Sequence, residues 1–145
     1  MNPIQKNGWT IYFHQLFAQQ YLDLRERIVK LTNNLDKEAL RIHSDVKLFQ
    51  SIQNLIYETI PSNPFADYFA LRGSLKRYSR VKKKGLPNRY RLFFKVFKQE
   101  QKIVILWLGY PRKEGDKKDC YAVFSKMVNR GNFPHSLDEL INFSD

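Results

Sequence analysis

Residues 89–97 read Arg-Tyr-Arg-Leu-Phe-Phe-Lys-Val-Phe, and residues 102–109 read Lys-Ile-Val-Ile-Leu-Trp-Leu-Gly. In the first run Tyr90, Leu92, Phe94 and Val96 recur at period two and line one face of a strand, while Arg89, Arg91, Phe93 and Lys95 line the other. The second run is apolar at successive positions, which marks a central strand covered on both faces. Lys98 to Gln101 reads as the turn between them. Upstream, Tyr78 to Lys83 is a further strand candidate, separated from the first run by a Gly85-Leu86-Pro87-Asn88 turn. Three successive strands with short connections make an antiparallel meander. The Leu92 face is its core, Val81 points with that core, and Tyr78, Arg80, Lys82 and Lys84 point with the arginines.

Outward from the meander the periodicity changes. Trp9 to His14 alternates as a short strand, and from Gln15 the residues Leu16, Phe17, Tyr21, Leu24, Ile28 and Leu31 recur at helical spacing until Asn33-Asn34. Asp36 is placed to cap a second helix carrying Leu40, Ile42, Val46, Phe49, Ile52, Leu55 and Ile56, which Pro61 closes. These two helices are expected to form a hairpin. Phe65 to Leu75 has no regular pattern. Near the C-terminus Asp119 caps a last helix with Cys120, Val123, Phe124, Met127 and Val128 on one stripe, and Gly131 stops it; Pro134 follows, with one further helical turn expected. The expectation is an α+β fold in a single domain over residues 1–145, an N-terminal helical hairpin packed on a small antiparallel sheet with a C-terminal helix.

The charge is concentrated. Among 145 residues, 25 Lys and Arg face 14 Asp and Glu, a net charge of +11. Eleven basic residues fall between Arg72 and Lys98 with no acid among them, so the rest of the chain is neutral. On a folded segment such a concentration attracts polyanions: nucleic acid, an anionic membrane or an acidic protein tail. Solubility and edge-strand protection are the plainer uses of exposed lysine. Edge protection does not require arginines on the paired strand, however, and like charges across two strands repel unless an anion neutralises them. A phosphodiester backbone fits, and Tyr78, Phe93 and Tyr110 are candidates to stack bases between the cations.

Other classes are excluded by composition. Aromatic residues make up 14% and hydrophobic residues 43% of the chain, too apolar for a disordered basic tail. A chain of this length buries about 70% of its unfolded surface, so it needs no staple. The single Cys120 rules out an internal disulfide framework and a cysteine-based zinc site, and suits a reducing cytoplasm. No apolar run reaches the roughly 20 residues of a spanning helix, the first residues contain no apolar leader core, and no basic amphipathic helix points to a membrane surface.

Several motifs carry a family resemblance. Asn7-Gly8-Trp9 with Tyr12 and His14, Ser79-Arg80-Val81-Lys82, Arg89-Tyr90-Arg91-Leu92-Phe93-Phe94, Lys117-Lys118-Asp119, Tyr121-Ala122-Val123-Phe124-Ser125-Lys126-Met127 and Gly131 follow one another in a single order. In that order they resemble the YhaV family of type II toxins, within the RelE-like superfamily of bacterial ribonucleases. Tyr78 departs from that pattern, standing where close relatives are expected to carry tryptophan, and the loop between Trp107 and Arg112 is shorter. The resemblance implies a RelE-like fold and an endoribonuclease, an mRNA interferase held in check by a cognate antitoxin, expected to carry an AbrB-like DNA-binding domain.

RNA supplies its own nucleophile, the 2′-hydroxyl, so cleavage needs no metal or cofactor if protein groups move the protons and stabilise the phosphorane. The basic stretch contains no carboxylate, and His14, His43 and His135 lack ligand-like spacing. By resemblance, Arg80 and Lys82 orient the phosphate and help deprotonate the hydroxyl, Arg91 grips the scissile phosphate with its planar fork, Arg112 reaches it from a loop, and Tyr121 contributes its hydroxyl. Lys76, Arg77, Tyr78, Lys84, Arg89, Phe93, Lys95, Lys118 and Lys126 are the expected RNA-binding residues. His14, at a strand-to-helix junction, is a second-tier acid or base and a more ordinary local hydrogen-bonding residue. The competing reading is a non-catalytic RNA- or ribosome-binding module, which shares the patch without the chemistry.

Overall fold

A computed structural model describes residues 1–110 and 119–142. Strands β1 (Ile4–Lys6) and β2 (Trp9–Phe13) precede helix α1 (Gln15–Leu31), and α2 (Lys37–Ile42), α3 (Ser44–Asn54) and the short α4 (Ile60–Ser62) follow. Strands β3 (Ser79–Val81), β4 (Arg91–Phe97) and β5 (Lys102–Gly109) form the meander, and α5 (Asp119–Asn129) and α6 (Leu137–Asn142) close the chain. The five strands lie in the order β1-β2-β5-β4-β3. β5 is central as its apolar sequence requires, with Ile103 to Leu106 fully buried.

The α+β class holds, with differences in detail. The sheet is mixed, because β2 runs parallel to β5 while the other pairs are antiparallel. The first strand was not anticipated, although Asn7 and Gly8 both take positive φ and make the two-residue turn that joins β1 to β2. Asp36 caps α2 by accepting from Ala39 N at 2.8 Å. The single second helix of the sequence reading is broken at His43, whose extended backbone ends α2 and whose Nδ1 caps α3 by accepting from Asp45 N. Leu55–Thr59 then widens into a π turn in which Ile60 N–H reaches Leu55 O. Pro61 accounts for that widening, since its ring cannot sit over the carbonyl four residues back. In place of a simple hairpin, α1 packs against a segmented run.

The sheet is covered on both faces. Ile11, Phe13, Leu92, Phe94 and Ile105 pack under α1 and α3 with Phe17, Leu48 and Ile52. On the other face Phe93, Val104 and Leu106 meet Cys120 and Phe124 of α5, with Phe133 and Leu140 beyond it. That second core corrects the expectation of an open cationic face, because the stripe of α5 needs apolar partners and Phe93 supplies the centre of them. Rings of Phe93 and Phe124 stack at 4.1 Å and 12°. Gly131 takes φ +83, so its N–H bonds Val128 O while Asn132 N–H bonds Met127 O, which turns Phe133 back under the helix. β3 is shorter than expected: beyond Val81 the chain leaves the sheet, Lys83 takes a positive φ, and Lys82 to Lys84 lie exposed in the loop.

One polar contact completes the sheet edge. β2 leaves β5 after Phe13, and the uncovered backbone of Leu108 is taken by the Gln20 side chain from α1, whose Nε2 donates to Leu108 O at 2.7 Å and whose Oε1 accepts from Leu108 N at 2.9 Å. Gln20 thus acts as one residue of an extra strand. Gln20→Leu should lower the unfolding free energy by about 1–2 kcal/mol in urea titration, since two partly buried backbone groups lose their partners, whereas Gln19→Leu should change it by less than about 0.5 kcal/mol.

Candidate active site

The β3–β4 register sets Arg80 opposite Phe93, and Arg91 lies two residues before Phe93 on the same face of β4. Because α5 packs on that face, Tyr121 in its first turn arrives above the two arginines, its ring edge-on to Phe93 at 5.8 Å. Its hydroxyl oxygen accepts from Arg80 Nε at 3.0 Å and from Arg91 Nε at 3.2 Å. Arg80 Nη1 donates to Tyr68 O at 2.9 Å, and Arg91 Nη1 donates to the carbonyls of Asn88 and Tyr90, each at 2.8 Å.

Arg91 is only 1% exposed. Among the described residues the ion pairs are Lys6–Glu58, Arg27–Asp45 and Arg41–Glu38, so no carboxylate there compensates the buried guanidinium. Burying a charge is unfavourable without a counterion. Three fixed oxygens orient it instead, and Nη2 is the part of the fork they leave unengaged. The hydroxyl of Tyr121 spends its lone pairs on two cations, which leaves its proton to be donated outward. The cluster is thus a preorganised anion site with a proton donor beside it, and the N-terminal end of α5 adds partial positive charge.

A family model described as "Toxin with endonuclease activity, of toxin-antitoxin system", the YhaV toxin family, matches residues 11–145. "Toxin YhaV" of Escherichia coli O6:H1 and "Ribonuclease toxin YhaV" of Escherichia coli K12 are each 34% identical, over 95% of this chain and 93% of theirs. The chain belongs to the YhaV toxin family. Among solved structures, it is similar to the isolated Escherichia coli RelE toxin (TM-score 0.38, 18% identity, 83% of this chain and 95% of that one). It is also similar to a conserved hypothetical protein from Helicobacter pylori (TM-score 0.35, 24% identity, 70% and 93%).

The YhaV-family motifs meet in space only in part. Arg80, Arg91 and Tyr121 converge, although they are far apart in sequence. Lys82 is exposed just beyond β3, and Lys76, Arg77, Lys84, Arg89 and Lys126 are exposed as well, Arg89 lying over Tyr110. Arg112 and Lys118 lie outside the described residues. Two expected base-stacking rings are corrected. Phe93 is fully buried under Phe124, and Tyr78 is buried with its hydroxyl donating to Phe133 O and its ring edge against Phe124. Both serve the second core, whereas Tyr110 remains exposed with Arg89 over its ring.

Lys95 stands apart from the arginine cluster. It is 7% exposed, with Nζ donating to His135 O at 3.3 Å and lying near the faces of Tyr78 and Phe97. Burial, and secondarily the charge of Arg77, holds its ammonium below the ordinary lysine range. Sequence reasoning missed the supporting carbonyls of Tyr68, Asn88 and Tyr90, since a backbone acceptor leaves no side-chain signature.

His14 has the local role. Its Nδ1 accepts from Leu16 N at 3.1 Å and caps α1, its Nε2 faces Asn132 O at 3.1 Å, and its ring meets Phe133 edge-on. An accepting Nδ1 requires the neutral ring with its proton on Nε2. Burial agrees, lowering the pKa below 6.5 against the smaller opposing pull of the Asn132 carbonyl. In the window between the lowered folded pKa and 6.5 the unfolded chain binds more protons, so stability is fully present above 6.5 and falls as pH drops through the folded value. Urea midpoints measured from neutrality downward should show this loss, and His14→Asn, which keeps a cap without a titrating ring, should flatten it.

Proposed function

We infer that this YhaV-family endonuclease toxin is a metal-independent endoribonuclease whose active centre is the Arg80–Arg91–Tyr121 cluster. The observation that carries this is the buried guanidinium of Arg91, held by carbonyls and by a tyrosine oxygen shared with Arg80. The name "Ribonuclease toxin" borne by a 34% identical relative supports RNA as the substrate.

In the reaction the 2′-oxygen forms a bond to the adjacent phosphorus as its proton passes to a base, and the bond to the 5′-oxygen breaks as that oxygen takes a proton. The products are a 2′,3′-cyclic phosphate and a 5′-hydroxyl. Arg91 Nη2 and the Arg80 guanidinium carry the equatorial charge, where a fork donates to two oxygens at once. Tyr121 donates its proton to the departing 5′-oxygen. Lys82, exposed two residues beyond Arg80, takes the 2′-proton, and Arg112 is a further phosphate contact. Lys76, Arg77, Lys84, Arg89, Lys118 and Lys126 hold the flanking backbone. The protein works on mRNA in the cytoplasm, on or off the ribosome, until a cognate antitoxin with an AbrB-like domain covers the cationic surface.

RNA incubated with purified protein in EDTA should be cut to fragments with 5′-hydroxyl ends. Tyr121→Phe should slow cleavage by about a hundredfold or more with RNA affinity retained, and Arg91→Lys should slow it by at least about tenfold while also lowering the urea midpoint, because buried oxygens lose their donors. Salt-sensitive binding with no cleavage by the wild type would favour a binding module instead.

A further inference from the structure

Three exposed aromatic rings lie beneath basic side chains: Tyr68 under Lys84, Tyr110 under Arg89 and Phe65 under Lys98. Tyr110 is already stacked on Tyr90, its ring centroid 5.5 Å away at 21°. Phe65 has no hydrogen-bonded link to the arginine cluster, and its ring leans edge-on to Trp9. Tyr68 differs from both. Its carbonyl accepts from Arg80 Nη1 at 2.9 Å, so its backbone is tied directly to a guanidinium of the centre. The following residue, Phe69, is buried in the core against Phe94 at 5.3 Å, and the Tyr68 ring rests edge-on against Phe69 at 4.6 Å.

The ring is therefore anchored at its base and 47% exposed, with Lys84 Nζ at 4.6 Å from its centroid. A buried neighbour fixes its position, and a bonded carbonyl fixes its distance from the phosphate-binding fork. Rigid aromatic faces beside fixed cations are what a single-stranded nucleic acid meets when a base stacks and its phosphate is neutralised. We propose that Tyr68 is a nucleobase-stacking site for the nucleotide next to the scissile phosphate, the base stacking on the ring face opposite the one Lys84 covers. This rests on the reading of the Arg80–Arg91–Tyr121 cluster as the RNA-cleaving centre. A stacking platform accepts any base, so the site adds affinity and alignment and does not select sequence.

The test compares binding of a short 2′-deoxy oligouridylate with binding of an abasic deoxyribose-phosphate oligomer of the same length, so that neither is cut. Tyr68→Ala should weaken oligouridylate binding by about fivefold or more while leaving abasic binding within about twofold, and Tyr68→Phe should retain wild-type affinity for both. Cleavage of ordinary RNA by the wild type is measured alongside. If the wild type cleaves RNA and Tyr68→Ala binds oligouridylate as the wild type does, the stacking site is overturned and the centre stands. Equal losses on both oligomers would also overturn it, since they would report a charge or folding effect. If the wild type neither binds nor cleaves RNA, the stacking site and the centre fall together.

Discussion

Phe124 stacked on Phe93 is the contact through which the remaining features are connected. A strand whose alternate residues include two cations and a phenylalanine offers α5 one good apolar partner, and the helix settles on it. Tyr121, one helical turn before Phe124, is thereby carried over the neighbours of Phe93 on β3 and β4. The same docking removes Arg91 from solvent. One packing event thus builds a core and assembles three groups that lie apart in the chain.

That assembly holds a charge in an unfavourable place. Arg91 is enclosed without a carboxylate among the described residues, and the oxygens of Asn88, Tyr90 and Tyr121 compensate its lost hydration without neutralising it. Groups so fixed need little reorganisation when an anion arrives, which is the condition for strong electrostatic stabilisation of negative charge. Lysine has the charge but not the fork, and so cannot serve Tyr121 from one nitrogen and two carbonyls from another.

Much of this was legible in the residues. The unbroken apolar run of β5 placed it centrally, the alternation of β4 identified the Leu92 face as core, and Asp36 and Gly131 marked helix ends where caps are found. Arg80, Arg91 and Tyr121 were singled out by resemblance, and the fold brings them together. Asn7-Gly8 is a two-residue hairpin signal, and the structure turns there between β1 and β2. His43 looked helical because its competition for the backbone acts through a ring nitrogen, and the π turn before Pro61 arises from a steric conflict that periodicity does not encode. Alternation tells which side Phe93 and Tyr78 face and not whether that side is covered, and both are buried.

From its own letters, then, the chain dictated strand and helix periods and the placement of its charge, since these depend on neighbours within a few residues. Which sheet face was sealed, which arginine was buried, and which hydroxyl the two arginines share were settled only when α5 closed over β4. Those outcomes depend on contacts between segments 30 to 41 residues apart, where local pattern carries no information about distance.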